Sequence, residues 1–474
     1  MKKINTIIIT AFLFVISISY AQNTAKYVFL FIGDGMGDNI IYATELYNAS
    51  LNDKMVYEPL AFSQFPVQSY AITTSANSLT TDSSAGATAM ATGYKTNNHV
   101  VSMDPTLTLN YKTLAEKAKE EGYRIGILSS VAIDHATPAS FYAHQKSRNK
   151  YNEIALQIPT SNFDFFGGGG VHNIGSKDDA NSVAHAMDKS GYKYITTENE
   201  IKKLNKGADK IVAVSPGTYS GREFYWVIDK NPESISLAYF TKKGIELLDN
   251  EKGFFMMVEG GKIDWALHSN DLATAIYETI AFDDAIKEAI KFYNDHKEET
   301  LIIVTADHET GGLALGNNAG GGLKLELLKY QKISAQEFER SLTVLKDQDR
   351  KISFEEVLDS VKINFGLGDK EKGLELNEAE TKWLFEAYEN EFVERKEIDA
   401  DRDYLDQYSD KPFTLRVITI LNTKSGVAWS TEGHTACKVP VKVLGAGQEY
   451  FQSTIDNTDI NDIIIKMMQI QEPQ

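Results

Sequence analysis

The chain has 474 residues, of which 42% are hydrophobic and 24% are charged. This balance excludes intrinsic disorder, and 33 glycines and 10 prolines are too few for a collagen-like or low-complexity chain. The formal net charge of −18 repels phosphate backbones, so we expect no nucleic-acid binding through a basic surface. An anionic substrate would therefore need a local positive site, such as bound metal ions.

Residues 1–21 have the pattern of a cleaved export signal. Two lysines precede the apolar run Ile7–Ile18, and the small residues Ser19 and Ala21 occupy the positions that a signal peptidase reads. The run is too short to span a bilayer, although an uncleaved membrane anchor is the alternative interpretation. We predict a signal peptide and an exported chain, periplasmic or secreted, with no stable membrane insertion after cleavage.

Four short apolar runs are typical of strands that are buried on both faces of a sheet. Helical patterns such as Leu114–Glu121 and Asp271–Phe292 lie between them. This alternation predicts an α/β fold with a central, mostly parallel sheet flanked by helices. The four runs are Tyr27–Ile32, Arg124–Ser129, Phe254–Val258 and Leu301–Thr305.

Carboxylates and imidazoles follow all four runs, at the strand ends where parallel α/β sheets bind ligands. Because clustered carboxylates repel one another, we expect divalent cations among them: zinc where imidazoles and carboxylates mix, and magnesium where the ligands are oxygen atoms. Asp264 and His268 are one helical turn apart and so face the same way, although an isolated pair of this kind usually consists of polar residues on the exposed surface of a helix. The residues that follow the runs are Asp34, Asp134, His135, Glu259, Asp307 and His308.

The segment Thr80–Gly93 predicts a closely packed helix because it is rich in small residues, with Gly93 as its end. Ser83 or Ser84 lies at the helix start, where free N–H groups and the helix dipole favour an oxyanion or a phosphate. A serine that only caps the helix is the alternative interpretation.

Six segments follow one another in the order VFLFIGDGMG, TDSSAGATAMATG, DHATPASFYAHQKSR, MVEGGKIDWALH, VTADH and TEGHT. In this order they closely resemble segments of the alkaline phosphatases. The resemblance covers residues from about 26 to 316 and from about 430 to 450. It implies an alkaline phosphatase-like fold and a hydrolase that cleaves phosphate monoesters through a phosphoserine intermediate, at a site with two zinc ions and one magnesium ion. A phosphodiesterase or another phosphoester hydrolase of the same superfamily is the alternative.

The resemblance also implies roles for individual residues. Ser83 matches the nucleophile of the family, with Ser84 as the competing assignment, and Arg148 matches an arginine that binds two phosphate oxygens. The implied ligands are Asp264, His268 and His434 for the first zinc, Asp34, Asp307 and His308 for the second zinc, and Glu259, Thr137 and the shared Asp34 for magnesium.

Two further residues lie at positions that vary among alkaline phosphatases. His135 lies near the implied third metal, where a histidine favours zinc over magnesium or else is a polar residue behind the ligands. Trp265 directly follows Asp264 and is expected to flank the phosphate pocket or to pack against its own loop.

We predict one catalytic domain over residues 22–474, interrupted by a charged helical insertion at about residues 317–425. Within the insertion, Leu345–Glu356 partly fits an EF-hand calcium loop, but Leu345 replaces the first ligand and Arg350 the turn glycine. A solvated helix–turn–helix is favoured there, and the insertion is expected to cap the cleft or to contact a second subunit. The expected partners are small phosphate monoester substrates, and the expected state is a homodimer or a monomer.

Overall fold

The structure, a computed structural model, describes residues 24–52, 57–219, 221–317, 322–348, 350–393 and 412–471. The strands are β1 (Tyr27–Ile32), β2 (Val67–Ile72), β3 (Arg124–Ser129), β4 (Phe165–Gly168), β5 (Lys193–Ile195), β6 (Ile211–Val214), β7 (Thr218–Tyr219), β8 (Glu223–Phe224), β9 (Phe254–Glu259), β10 (Thr300–Thr305), β11 (Glu309–Thr310), β12 (His434–Thr435), β13 (Val439–Gly445) and β14 (Ile455–Asp456).

The α-helices are α1 (Asp38–Leu51), α2 (Ser83–Thr92), α3 (Leu114–Glu120), α4 (Ala136–Ala139), α5 (Tyr151–Ala155), α6 (Ile158–Ser161), α7 (Val183–Lys189), α8 (Glu198–Lys202), α9 (Leu237–Leu248), α10 (Lys262–His268), α11 (Leu272–Asp295), α12 (Ala335–Lys346), α13 (Phe354–Phe365), α14 (Glu378–Tyr388), α15 (Pro412–Ser425) and α16 (Asn457–Met467). Short 3-10 helices span Phe62–Gln64, Val227–Asp229, Leu325–Tyr330 and Gln448–Phe451, and a π-helical turn spans Glu389–Val393.

Ten of the described strands form one central sheet, in the order β14-β2-β13-β10-β1-β9-β3-β4-β6-β5. β13 runs antiparallel to β10 and to β2, and the other neighbours in this sheet are parallel. The prediction of an α/β fold with a mostly parallel central sheet is therefore confirmed.

The central strands are buried on both faces. All six side chains of β1, of β9 and of β10 are buried, which explains why their sequences are continuously apolar. β2 lies nearer the edge of the sheet and alternates between buried and exposed side chains, so one of its faces is open to solvent.

The register of the sheet brings four strand ends to the same edge. Ile32 of β1 pairs with Thr305 of β10 on one side and with Glu259 of β9 on the other. Glu259 in turn lies beside Ser129 at the end of β3. The loops that follow these strands therefore leave the sheet side by side.

The glycine run Gly167–Gly170 allows β4 to pass very close to its neighbours. A Cβ atom would lie 2.0 Å from the carbonyl oxygen of Ser129 if added to Gly168, and 2.0 Å from that of Val131 if added to Gly169. Any side chain here would push the end of β4 away from the end of β3. The glycine run therefore permits a close approach of the two backbones.

In the segment with a partial EF-hand pattern, α12 ends at Lys346, and Ser353 and Glu356 cap the start of α13. Ser353 precedes α13, and its hydroxyl accepts a hydrogen bond from the N–H of Glu356. The Glu356 carboxylate accepts from the N–H of Ser353 at 2.9 Å and from Arg350 at 2.6 Å. These capping contacts account for the serine and the glutamate without a calcium ion.

The predicted signal peptide at residues 1–21 lies outside the described residues. Among the described helices, none combines the length and the apolar character that a membrane crossing requires. The expectation of export therefore stays a prediction.

Candidate active site

The candidate metal ligands come from the loops at this sheet edge, from α10 and from β12. Asp34, Glu259, Asp307 and His308 follow or end the central strands, and all four side chains are fully buried. His434 lies far along the chain but joins them, because β12 pairs antiparallel with β11, which begins directly after His308. A short two-stranded ladder therefore completes the cluster.

Asp264, His268 and His434 form the first group. The Nε2 atom of His268 lies 3.3 Å from Oδ2 of Asp264 and 3.2 Å from Nε2 of His434. Nδ1 of His268 faces the carbonyl oxygen of Glu432, and Nδ1 of His434 faces that of Thr81 at 2.9 Å. A carbonyl can only accept, so Nδ1 carries the proton on both rings and Nε2 faces the group. Two imidazole nitrogens and a carboxylate fit a zinc ion.

The pKa shifts of Asp264 and His268 indicate that this group favours a positive charge beside the carboxylate. Burial by itself would raise the pKa of Asp264, but His268 and the other nearby histidines hold it well below its ordinary value. Burial would lower the pKa of His268, yet Asp264 raises it. The carboxylate of Asp264 and the imidazole of His268 thus each favour the charged form of the other.

Asp34, Asp307 and His308 form the second group. Nε2 of His308 lies 3.3 Å from Oδ1 of Asp34 and 3.6 Å from Oδ2 of Asp307. Burial raises the pKa of Asp307 to about 7, and burial together with the neighbouring Asp307 raises that of Asp34 well above its ordinary value. Within the described residues, neither side-chain oxygen of Asp34 has a hydrogen-bond partner. These unsatisfied oxygens fit one or two bound cations.

Asp34, His135 and Glu259 form the third group, in which one ligand atom from each lies within 4.8 Å of the others. Burial raises the pKa of Glu259 to about 8. Oε1 of Glu259 and Nδ1 of His135 are buried and have no hydrogen-bond partner in the part of the chain that the structure describes. Thr137 donates a hydrogen bond to Oδ2 of Asp307 at 3.4 Å and so joins this group to the second. The structure places His135 among the candidate ligand atoms rather than behind them.

The two candidate serines differ in their surroundings. Ser83 is the first residue of α2, and its Oγ lies 3.2 Å from Nε2 of His308 and 3.4 Å from a guanidinium nitrogen of Arg148. Ser84 instead donates to the two carboxylate oxygens of Asp82, at 3.0 and 2.8 Å. Ser83 therefore faces the candidate ligands, whereas Ser84 supports the helix cap.

A close contact sets the position of α2. A Cβ atom on Gly86 would lie 2.7 Å from the carbonyl oxygen of Asp307. The helix can therefore lie directly against the loop that follows β10 only because residue 86 has no side chain. This contact brings the start of α2 to the second group, as the small residues of this segment predict.

Arg148 is almost fully buried, and it is held in place from two sides. Its NH1 group donates to Asp82 at 3.0 Å, and its NH2 group lies 3.2 Å from Nε2 of His135. Burial would raise the pKa of Asp82, but Arg148 lowers it to about 2. The guanidinium is thus fixed between the start of α2 and the third group.

Trp265 lies beside the third group. Its ring meets the ring of His135 edge-on, with centroids 5.8 Å apart. The Nζ atom of Lys262 lies 5.8 Å from the same tryptophan ring. Trp265 therefore borders the region between His135 and the start of α10.

Residues 25–470 match the sequence model of a family described as alkaline phosphatase. The chain belongs to the alkaline phosphatase family. It is 32% identical over 456 residues to alkaline phosphatase 3 of Bacillus subtilis (strain 168), covering 94% of this chain and 90% of that protein. It is 28% identical over 470 residues to an alkaline phosphatase of Schizosaccharomyces pombe, covering 93% and 80%.

Solved structures of alkaline phosphatases are also similar to this one. A cold-active enzyme from a psychrophilic Shewanella sp. has a TM-score of 0.77 at 27% identity and covers 94% of this chain and 100% of its own. The enzyme from the Antarctic bacterium TAB5 has a TM-score of 0.64 at 25% identity and covers 95% and 100%. The predicted family, fold and enzyme class are thereby confirmed: the chain is a phosphatase that hydrolyses phosphoesters, and its substrates are small phosphate esters.

The structure adds residues that sequence reasoning missed. Ser129 donates a short hydrogen bond to Glu259, because the ends of β3 and β9 lie in register. The signal for Ser129 in the sequence is that it ends one of the four apolar runs. Thr310 contacts both Asp264 and His308, at 2.5 and 3.2 Å. Its only signal in the sequence is its position two residues after His308.

Proposed function

We propose that the protein hydrolyses phosphate monoesters through a covalent phosphoserine on Ser83, at a site that holds two zinc ions and one magnesium ion. The observation that carries this proposal is the position of Ser83. Its Oγ lies at the start of α2, 3.2 Å from Nε2 of His308 and 3.4 Å from Arg148. A nucleophile, a phosphate-binding arginine and a cluster of candidate metal ligands thus meet at one point.

The donor sets support the metal assignment. The first two groups mix imidazole nitrogen with carboxylate oxygen, as zinc prefers, whereas Glu259, Thr137 and Asp34 offer the oxygen atoms that magnesium prefers. His135 shifts the third group towards zinc. A variant of the TAB5 enzyme in which a histidine is replaced by glutamate has magnesium bound in its M3 site. When bound, the ions would supply the positive charge that the four buried carboxylates lack.

The reaction consists of two displacements at phosphorus. In the first, Ser83 Oγ forms a bond to phosphorus while the bond to the leaving group breaks, and the alcohol departs with the proton that the serine gives up. In the second, a water molecule displaces Ser83 and releases inorganic phosphate. Arg148 can bind two nonbridging oxygens with its planar fork. Each in-line displacement inverts the configuration at phosphorus. Because there are two such steps, the phosphate product retains the configuration of the substrate.

A phosphodiesterase of the same superfamily is the alternative function. The phosphoryl group of a monoester has three nonbridging oxygens, whereas that of a diester has two and carries less charge. Arg148 and the third group beside it add donors and a cation site next to Ser83. This additional positive charge favours the monoester, which is the more highly charged substrate.

A comparison of three chromogenic esters tests the proposal. We expect the purified protein, supplied with zinc and magnesium at alkaline pH, to hydrolyse p-nitrophenyl phosphate with a kcat/KM at least about 100-fold above that for bis(p-nitrophenyl) phosphate or p-nitrophenyl sulfate. Faster turnover of the diester would favour the alternative function. Zinc uptake without turnover of any of the three esters would contradict both enzymatic assignments.

Export and domain organisation remain part of the proposal. The basic and apolar pattern of residues 1–21 supports a mature chain that begins at Gln22 and acts in the periplasm or outside the cell. That chain would be one catalytic domain over residues 22–474, with the insertion at about residues 317–425. N-terminal sequencing of the exported protein tests the cleavage site, and light scattering distinguishes the homodimer from the monomer.

A further inference from the structure

Thr310 lies between the first two ligand groups, and its main chain fixes its position. It is the second residue of β11 and pairs with His434 across the two-stranded ladder. Its N–H donates to the carbonyl oxygen of Gly35 at 3.1 Å, in the loop that carries Asp34. Its side chain is fully buried. The hydroxyl is therefore held at a fixed point between the groups.

The hydroxyl of Thr310 has two polar neighbours and one proton. Its Oγ1 lies 2.5 Å from Oδ1 of Asp264 and 3.2 Å from Nδ1 of His308. Thr310 is the donor to Asp264, because a carboxylate that binds a metal ion is ionised and can only accept a hydrogen bond. The proton of Thr310 therefore points to Asp264, and its oxygen must accept a hydrogen bond from Nδ1–H of His308.

The direction of the hydrogen bond between Thr310 and His308 decides which nitrogen of His308 can bind a metal ion. With the proton on Nδ1, the lone pair lies on Nε2, which faces Ser83 Oγ at 3.2 Å and Asp34 Oδ1 at 3.3 Å. In His268 and His434, main-chain carbonyls fix the same tautomer. His308 differs from both because a side-chain hydroxyl occupies that role, and a hydroxyl can either donate or accept.

We propose that Thr310 is a positioning residue that couples the two zinc sites: one hydroxyl orients Asp264 in the first site and fixes the metal-binding tautomer of His308 in the second. This inference rests on the metal assignment in the proposed function. Partners of this kind behind metal ligands are typically worth 10- to 100-fold in metal affinity. A single side chain that contacts a ligand of each site should therefore affect both affinities together.

Zinc titration of three variants tests the coupling. Thr310→Val removes the hydroxyl with little change in shape, whereas Thr310→Ser keeps the hydroxyl. Thr279→Val is the matched control, because Thr279 is also fully buried and donates to a main-chain carbonyl in α11 at 2.8 Å, away from the site. The thermal midpoint of each metal-free variant checks its folding. Each metal-free protein is then titrated with zinc against a competing chromogenic chelator.

We expect Thr310→Val to weaken both zinc-binding steps by about 10- to 100-fold, while Thr310→Ser and Thr279→Val bind zinc as the unmodified protein does. Unchanged affinity in Thr310→Val, weakening of one step alone, or equal weakening in Thr310→Ser would overturn the coupling. If the unmodified protein still binds zinc and cleaves monoesters in that case, the proposed function stands without this inference.

The tautomer can be observed without any change to Thr310. Solid-state NMR of the metal-free protein, labelled with nitrogen-15 in histidine only, distinguishes protonated from unprotonated ring nitrogens, and a His308→Asn variant assigns the signals. We expect Nδ1 of His308 to carry the proton. A proton on Nε2 in the unmodified protein would overturn the inference even if Thr310→Val failed to fold.

Discussion

The Nε2 atoms of His268 and His434 lie 3.2 Å apart, although the two residues are 166 positions apart in the chain. Both rings donate from Nδ1 to main-chain carbonyls, so neither can rotate away without losing a buried hydrogen bond. Asp264 completes the group from one turn earlier on α10. The fold thus holds three ligand atoms together at a point where a cation would relieve their repulsion.

Removal of the metal ions should abolish activity and lower stability. We expect the chelator-treated protein to lose phosphatase activity and to melt at a lower temperature, because the buried carboxylates then lack their counter-charge. Zinc and magnesium together should restore both properties. Mass-spectrometric metal analysis should give two zinc ions per active chain, and full activity in a protein of negligible zinc content would contradict this expectation.

The metal preference of the third group should depend on His135. A His135→Asp variant replaces the imidazole with oxygen ligands, so we expect magnesium to bind more tightly and to activate at lower concentrations, by about tenfold or more. Trp265→Phe is the control because it alters the neighbour of His135 without changing a ligand atom. An unchanged magnesium dependence in His135→Asp would show that residue 135 does not act in metal choice.

The stability of the metal-free protein should fall as pH rises from about 6.5 to about 8. Burial raises the pKa of Glu259 to about 8 and that of Asp307 to about 7, so these carboxyls keep a proton in the folded state that the unfolded chain has already lost. The folded state binds more protons in this window, and the free energy of unfolding therefore decreases. The lowered pKa values of His135, His308 and His434 oppose this trend only while the unfolded chain still protonates its histidines, so their effect fades as the pH rises above the ordinary value of 6.5.

Thermal melting at several pH values in a chelator measures the effect. Glu259→Gln imitates the protonated carboxyl, so its melting temperature should depend less on pH than that of the unmodified protein. In saturating zinc and magnesium the trend should weaken or reverse, since metal ions bind the deprotonated ligands. A metal-free protein that becomes more stable across this window would contradict the assigned pKa shifts.

Replacement of Arg148 should lower kcat/KM more for monoesters than for diesters. Loss of a preorganised donor to the reacting phosphate should lower monoester kcat/KM by about 100- to 1000-fold in Arg148→Ala, with a smaller loss in Arg148→Lys, which keeps the charge but not the fork. Arg124→Lys is the control, since Arg124 pairs with Asp164 at 3.1 Å outside the site. Equal losses of kcat/KM for both ester classes would show that residues other than Arg148 set the preference for monoesters.

The sequence predicted the parts of this molecule that depend on local pattern. The strands β1, β3, β9 and β10 were predictable because burial on both faces requires continuous apolar runs. The segment Val67–Ile72 was not predicted as a strand, and its alternating burial reflects a position near the sheet edge that depends on pairing with β13. Tertiary contacts of this kind leave little trace in a single sequence.

The sequence predicted which carboxylates and histidines belong to the candidate site, but it did not predict the contacts among them. The motifs indicated the carboxylates and histidines, yet the contact of Thr310 with two ligand groups depends on the pairing of β11 with the distant strand β12. The position of His135 among the ligand atoms likewise depends on how β3 and β9 align. Sequence spacing alone could not show either relationship.

The most direct test of the central claim is to trap phosphate on the enzyme during turnover of a monoester by rapid acid quench, followed by mass spectrometry of the peptide that contains Ser83 and Ser84. Ser84→Ala serves as the matched control for Ser83→Ala, since Ser84 caps the helix through Asp82. We predict phosphate on Ser83 in the unmodified protein and in Ser84→Ala, and neither label nor turnover above about one-thousandth of the unmodified rate in Ser83→Ala. Phosphate on Ser84, or full turnover in Ser83→Ala, would contradict the proposed mechanism.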